Sequence, residues 1–99
     1  MSTDYTKMSD FEISCKVAKA NNWTSKSFVH EIHSGKWNPC QNPADAWPII
    51  VENRIRINPI LYTKWMAEDY LEDVSSCDEN PLRAAMIAFL MMQESKNAS

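Results

Sequence analysis

The feature that most limits how this chain can fold is the run Asn80-Pro81-Leu82-Arg83-Ala84-Ala85-Met86-Ile87-Ala88-Phe89-Leu90-Met91-Met92. Asn80 offers a side-chain oxygen to an orphan amide of a first helical turn, and Pro81 suits the first helical position, where no donor is needed. The Ala, Leu and Met that follow are strong helix formers. At about 100° per residue, Leu82, Met86, Phe89 and Leu90 fall on one bulky side and Ala84, Ala85 and Ala88 on a small-residue side. A helix apolar nearly all round is buried on more than one side, in a core or at an interface. The run is too short to cross a bilayer, which takes about 20 apolar residues. It therefore reads as a central core helix, with a partner-binding helix as the alternative. Arg83 is its one early charge, and a charge on an apolar helix is normally compensated. Pairing with Asp45 or Glu52 would make the helix a purely structural keel, and an unpaired Arg83 would favour an interface.

The rest of the chain supplies elements to cover such a helix. Residues 1–7 are a polar lead, read as loosely held, as are residues 95–99. Ser9-Asp10-Phe11-Glu12 is a capping box, with Met8 and Ile13 placed as a hydrophobic staple. The helix it starts runs to Ala20 or Asn21, with Phe11, Cys15 and Ala18 on one strip and Ile13, Val17 and Ala20 on another. Glu12 and Lys16 form an i,i+4 pair on its wet side. Ser27-Phe28-Val29-His30-Glu31-Ile32-His33 alternates and reads as a strand, followed by a turn at Ser34-Gly35-Lys36. Asn42-Pro43 repeats the helix-start signal, and Asp45 suits the positive end of a helix dipole. A helix over 43–53 follows, bent at Trp47-Pro48 because Pro48 deletes a backbone bond; a strand over 47–51 is the rival. Arg54-Ile55-Arg56-Ile57 alternates as a strand with isoleucines inward, Asn58-Pro59 makes a turn, and a second strand lies within 62–70. In it Trp65 and Ala67 share one face and Met66 takes the other. Residues 71–79 read as a polar connection. The sum is a small single α+β domain, ordered α-β-α-β-β-α, with a C-terminal helix packed on a short antiparallel sheet.

Composition excludes several functions. The single glycine, Gly35, rules out Gly-rich phosphate loops. A net charge of −3 with scattered Lys and Arg argues against nucleic-acid binding, which needs a basic stripe. The acids around Glu68, Asp69 and Asp73 are interrupted by Tyr70 and Leu71 and read as a solvated face. Cys15, Cys40 and Cys77 are odd in number and lack paired spacing, and Met1-Ser2-Thr3-Asp4-Tyr5 has neither a basic nor an apolar leader region. Together these point to free thiols in a reducing cytoplasm, with Cys15 acting as a small buried hydrophobe.

Two blocks have a familiar form: Asn42-Pro43-Ala44-Asp45-Ala46-Trp47-Pro48-Ile49-Ile50-Val51-Glu52-Asn53 and Asn80-Pro81-Leu82-Arg83-Ala84-Ala85-Met86-Ile87. With Ser9-Asp10-Phe11-Glu12-Ile13 and the Trp65-Met66-Ala67 element, the chain resembles the NinX family of small proteins in P22-like and lambda-like phages and prophages. The resemblance covers residues 9–94, with 23–39 unmatched. It implies a phage accessory protein working in the infected bacterial cytoplasm, and it brings no catalytic residues with it.

The chemistry-bearing side chains form weak constellations. His30, His33 and Cys40, with a fourth ligand from Cys15 or Cys77, are the only metal-type cluster; on a strand the two histidines point to opposite faces. A Cys–His nucleophile pair lacks any local signature. Asp45 with Glu52, or Glu68 with Asp69, are the carboxylate pairs, and capping or solvation accounts for both. Trp47 reads as core. The residues best suited to a partner are Trp47, Arg54, Arg56 and Arg83, since Trp and Arg are enriched in binding hot spots. The leading expectation is a non-enzymatic phage accessory protein, without cofactor, that binds and modulates or inhibits a host protein of the defence or recombination machinery. A small metal-dependent enzyme using His30, His33 and Cys40 is the alternative, and a nucleic-acid-binding factor is third. A homo-oligomer is compatible with the sequence, and a membrane partner is not expected.

Overall fold

A computed structural model describes residues 4–71 and 73–98, with side chains as far as Lys96. A 3-10 turn (Tyr5–Lys7) leads into α1 (Asp10–Ala20), α2 (Lys26–Ser34) and α3 (Pro43–Glu52). Strands β1 (Arg56–Leu61), β2 (Lys64–Glu68) and β3 (Ser75–Asp78) follow, and α4 (Pro81–Ala98) closes the order. The class is α+β, as the sequence indicates, and the last helix lies on an antiparallel sheet.

The apolar run is the centre of the molecule. Asn80 Oδ1 accepts the amides of Leu82 and Arg83 at 2.8 and 3.4 Å, which starts α4 where its sequence requires. Residues 84–90 are all buried, a full circumference of the helix. Strands β2 and β3 pack on it from one side, and α1 and α3 from the other. Burying an aliphatic or aromatic side chain contributes about 1.5–3 kcal/mol, so this one element supplies much of the favourable term that a small core can offer.

The sheet order is β1-β2-β3, antiparallel throughout. Ile57 pairs with Ala67, and Ala67 with Ser76; Ala67 and Ser76 are buried on the face turned to α4. Asn58, Met66 and Cys77 share the opposite face, where Cys77 is exposed. Trp65 and Ala67 thus lie on one side and Met66 on the other, as the alternation predicts.

Several expectations are corrected. Residues 27–33 are helical, so the order is α-α-α-β-β-β-α rather than α-β-α-β-β-α. Ser25 accepts the Phe28 amide at 3.3 Å, and Gly35 stops the helix at φ 81°. Phe28 and Ile32 sit one turn apart, and Ile32 is buried; the alternation through His30 is coincidental. The supposed polar connection contains β3, whose only buried side chain is the serine at 76, so no hydrophobic period marked it. Asn58 and Pro59 lie inside β1 rather than in a turn; Pro59 is tolerated because β1 is an edge strand. In α1 a single face is buried, through Ile13, Ser14, Val17 and Ala18, while Phe11 and Ala20 are exposed.

The lead is held more firmly than its composition suggests. Tyr5 is buried and its hydroxyl donates to Glu94 Oε2 at 2.8 Å. Of the ends read as loose, residues 1–3 and 99 lie outside the described residues, and 95–98 continue α4. In α3 the helix persists through Pro48, whose ring faces solvent.

Candidate functional site

Arg83 is compensated, but by neither of the carboxylates its sequence context suggested. Its Nη1 reaches Asp10 Oδ1 at 2.6 Å and its Nε reaches Asp78 Oδ2 at 3.1 Å. Nη2 donates to the backbone carbonyls of Thr6 and Met8. Asp10 also accepts from Gln41, and Asn80 donates to the Cys40 carbonyl at 2.8 Å. One guanidinium, on a side chain 13% exposed, therefore joins the lead, the start of α1, the end of β3 and α4. Burial alone would lower the Arg83 pKa; the hydrogen bond to Asp10 and the charges of Asp78 and Asp10 outweigh it and raise it. The arrangement is structural, because four of the five N–H donors of the fork are engaged within the chain.

The metal and nucleophile constellations come apart. His30 and His33 lie on α2 and are exposed, with His33 against the ring of Phe11 at 5.1 Å. On a helix their spacing of three puts them on one side, not on opposite faces. Cys40 is fully buried, and burial first, then the charge of Asp10, pushes its thiol up to about 12. Such a thiol is a poor nucleophile at neutral pH. Among the described residues, no three His, Cys, Asp or Glu side chains are grouped to hold a metal ion. The carboxylates are also spoken for: Glu68 pairs with Arg56 at 3.2 Å, and Asp69 accepts the amides of Asp73 and Val74, closing the β2–β3 loop. Asp45 and Glu52 stand on α3, and Asp45 accepts the Asn38 amide at 2.9 Å.

What the fold leaves open is apolar. Ala44, Trp47, Pro48 and Val51 recur at helical spacing along the solvent side of α3, with Trp47 62% and Val51 54% exposed. The expectation of Trp47 as core is therefore overturned: the inward side of α3 is taken by Ala46, Ile49 and Ile50. Beside this stripe runs a groove of about 520 Å³, lined by Trp23, Phe28 and Trp37 across from Ala44, Asp45 and Pro48. Its rings form a cluster with centroids 4.9 to 5.9 Å apart, the two indoles crossing at 88°. Sequence reasoning missed this groove. Its signal was the pair of tryptophans flanking the misread segment, one on each side of α2.

The other candidate residues are scattered. Arg54 is exposed just after α3 and Arg56 is exposed at the start of β1, and neither lines the groove. Arg83 is drawn inward, away from any partner.

A family model described as bacteriophage P22 NinX matches residues 4–93. The chain belongs to the NinX family. No curated protein and no solved structure matches it. The NinX match spans the Arg83 junction, α3 and the aromatic groove, and it runs through α2, which the sequence resemblance left unmatched. As a NinX protein the chain is a phage accessory protein. No helix among its described residues is long and apolar enough to cross a membrane.

Proposed function

We propose that this NinX protein acts without catalysis, in the cytoplasm of the infected bacterium, by binding and modulating or inhibiting a host protein of the defence or recombination machinery. The observation that carries the reading is the exposure of Trp47 on α3, with Pro48 and Val51 beside it. A small chain with a core to fill gains nothing in stability by holding an indole out in water, since a buried aromatic contributes strongly. Contiguous exposed apolar surface marks interaction sites, and tryptophan is the residue type most enriched among binding hot spots. The stripe continues into the aromatic groove, giving one face on which a partner can seat.

The test compares wild type with Trp47→Ala in co-purification from infected host cells. Wild type is expected to retain one host protein in stoichiometric amount, and the variant to lose it. The substitution removes an exposed side chain, so its folding stability should move by no more than about 0.5 kcal/mol. Repeated purification of wild type without a stoichiometric companion would count against the reading.

A further inference from the structure

We propose that the groove between α2 and α3 receives an arginine side chain of the partner protein. This rests on the partner-binding reading above and specifies the chemistry of its contact.

Three features of the groove select a cation. Trp23, Phe28 and Trp37 line one part of it, their rings tilted 57–88° to one another in a corner rather than a stack, beside Asn22, Thr24 and Ser25. An indole face carries negative charge density and attracts a cation held against it. The opposite wall is Ala44 and Pro48, which are short and leave a slot. Asp45 is the one charged side chain among the described residues lining that slot. A structural role already accounts for half of Asp45, since Oδ2 accepts the Asn38 amide and the residue sits in the first turn of α3. Its other oxygen has no hydrogen-bond partner among the described residues.

An apolar occupant would cover that oxygen and leave it unsatisfied, at a desolvation cost. A cation satisfies it. Guanidinium fits better than ammonium, because it is planar, weakly hydrated, stacks on aromatic faces and still donates in its plane to a carboxylate. The groove thus offers the two things an arginine head needs, an aromatic lining and one carboxylate oxygen without a partner among the described residues.

The test uses the full chain and N-acetyl-arginine amide, with N-acetyl-citrulline amide as the uncharged isostere and N-acetyl-lysine amide as the ammonium comparison. Indole Nε1–H resonances of Trp23 and Trp37 are followed by NMR. The arginine compound is expected to shift both saturably and more tightly than the lysine compound, while citrulline leaves them unmoved. Asp45→Asn, which keeps an acceptor for the Asn38 amide, should weaken binding roughly tenfold, the size of one charge-assisted hydrogen bond. Trp23→Ala, at a half-exposed position, serves as a second variant and should abolish the response. Equal shifts from arginine and citrulline, or a lysine response as tight as that of arginine, would overturn the assignment. In co-purification, a host protein held equally by wild type and Asp45→Asn overturns the arginine contact while leaving the partner reading intact. Saturable arginine binding with no host protein retained supports the site and removes the partner reading instead.

Discussion

Arg83 ties together four separate parts of the fold. Its fork meets Asp10 and Asp78 and two carbonyls of the lead, so replacing it leaves two carboxylates facing each other in a partly buried site. Removing one partner of such a group costs more than the pair itself contributes. Arg83→Met, which keeps the apolar stem, should therefore lose about 2–4 kcal/mol in urea unfolding. Arg83→Lys should recover only a fraction, because an ammonium cannot span the carboxylates and the carbonyls at once. A loss below about 0.5 kcal/mol would place the junction among ordinary surface ion pairs. That Arg83 needed compensation was legible from its neighbours in sequence. Which groups supply it was not: Asp10 lies seventy-three positions away and Asp78 sits in a strand without hydrophobic period. Local pattern carries no record of such a meeting.

The three N-terminal helices end alike. The residue after each last turn has positive φ, at Asn22 (61°), Gly35 (81°) and Arg54 (53°). The next amide then bonds back to a carbonyl five residues earlier: Trp23 to Ala18, Lys36 to Glu31, Ile55 to Ile50, at 2.9 to 3.0 Å. This is the Schellman pattern, and glycine fits it best. Nothing lies within 4 Å of where a Gly35 Cβ would sit, so Gly35→Ala should cost only the backbone penalty, about 1 kcal/mol. Arg54→Gly should be the reverse, a gain of about 0.5 kcal/mol once the freer unfolded chain is counted. Thermal melts of the two variants should move in opposite directions. These caps also explain what sequence could tell. Asn42-Pro43 and Asn80-Pro81 announced α3 and α4, and Ser9 announced α1, because a cap is a local bond between near neighbours. α2 had its signals too, in Ser25 and Gly35, but it is only nine residues long, and the chance alternation of Phe28, His30 and Ile32 imitates a strand. The groove depends on α2 being a helix, so misreading that element hid the site.

At the scale of the molecule, the sealed thiol at residue 40 sets a limit in alkali. Cys40 titrates near 12 in the fold against an ordinary 9. Below pH 9 both states carry the proton and stability is unaffected. Between 9 and 12 the unfolded chain gives it up and the folded chain keeps it, so unfolding becomes easier as pH rises, by up to about 1.4 kcal/mol per unit. Cys40→Ala should flatten that decline in urea midpoints measured from pH 8 to 11, whatever it costs at neutrality. At the same scale stands a consequence of α4 being the hub. The helix that α1, α3 and the sheet all pack against follows every one of them in the chain. During synthesis, at about 5–20 residues per second, Ile13, Val17 and Ile49 emerge seconds before the surface that will cover them exists. The contacts that α1, α3 and the sheet make with α4 therefore form only once α4 has been made, whereas pairings such as β1 with β2 involve earlier residues alone. Until α4 is available, the apolar faces of α1 and α3 that it covers stay open on the nascent chain.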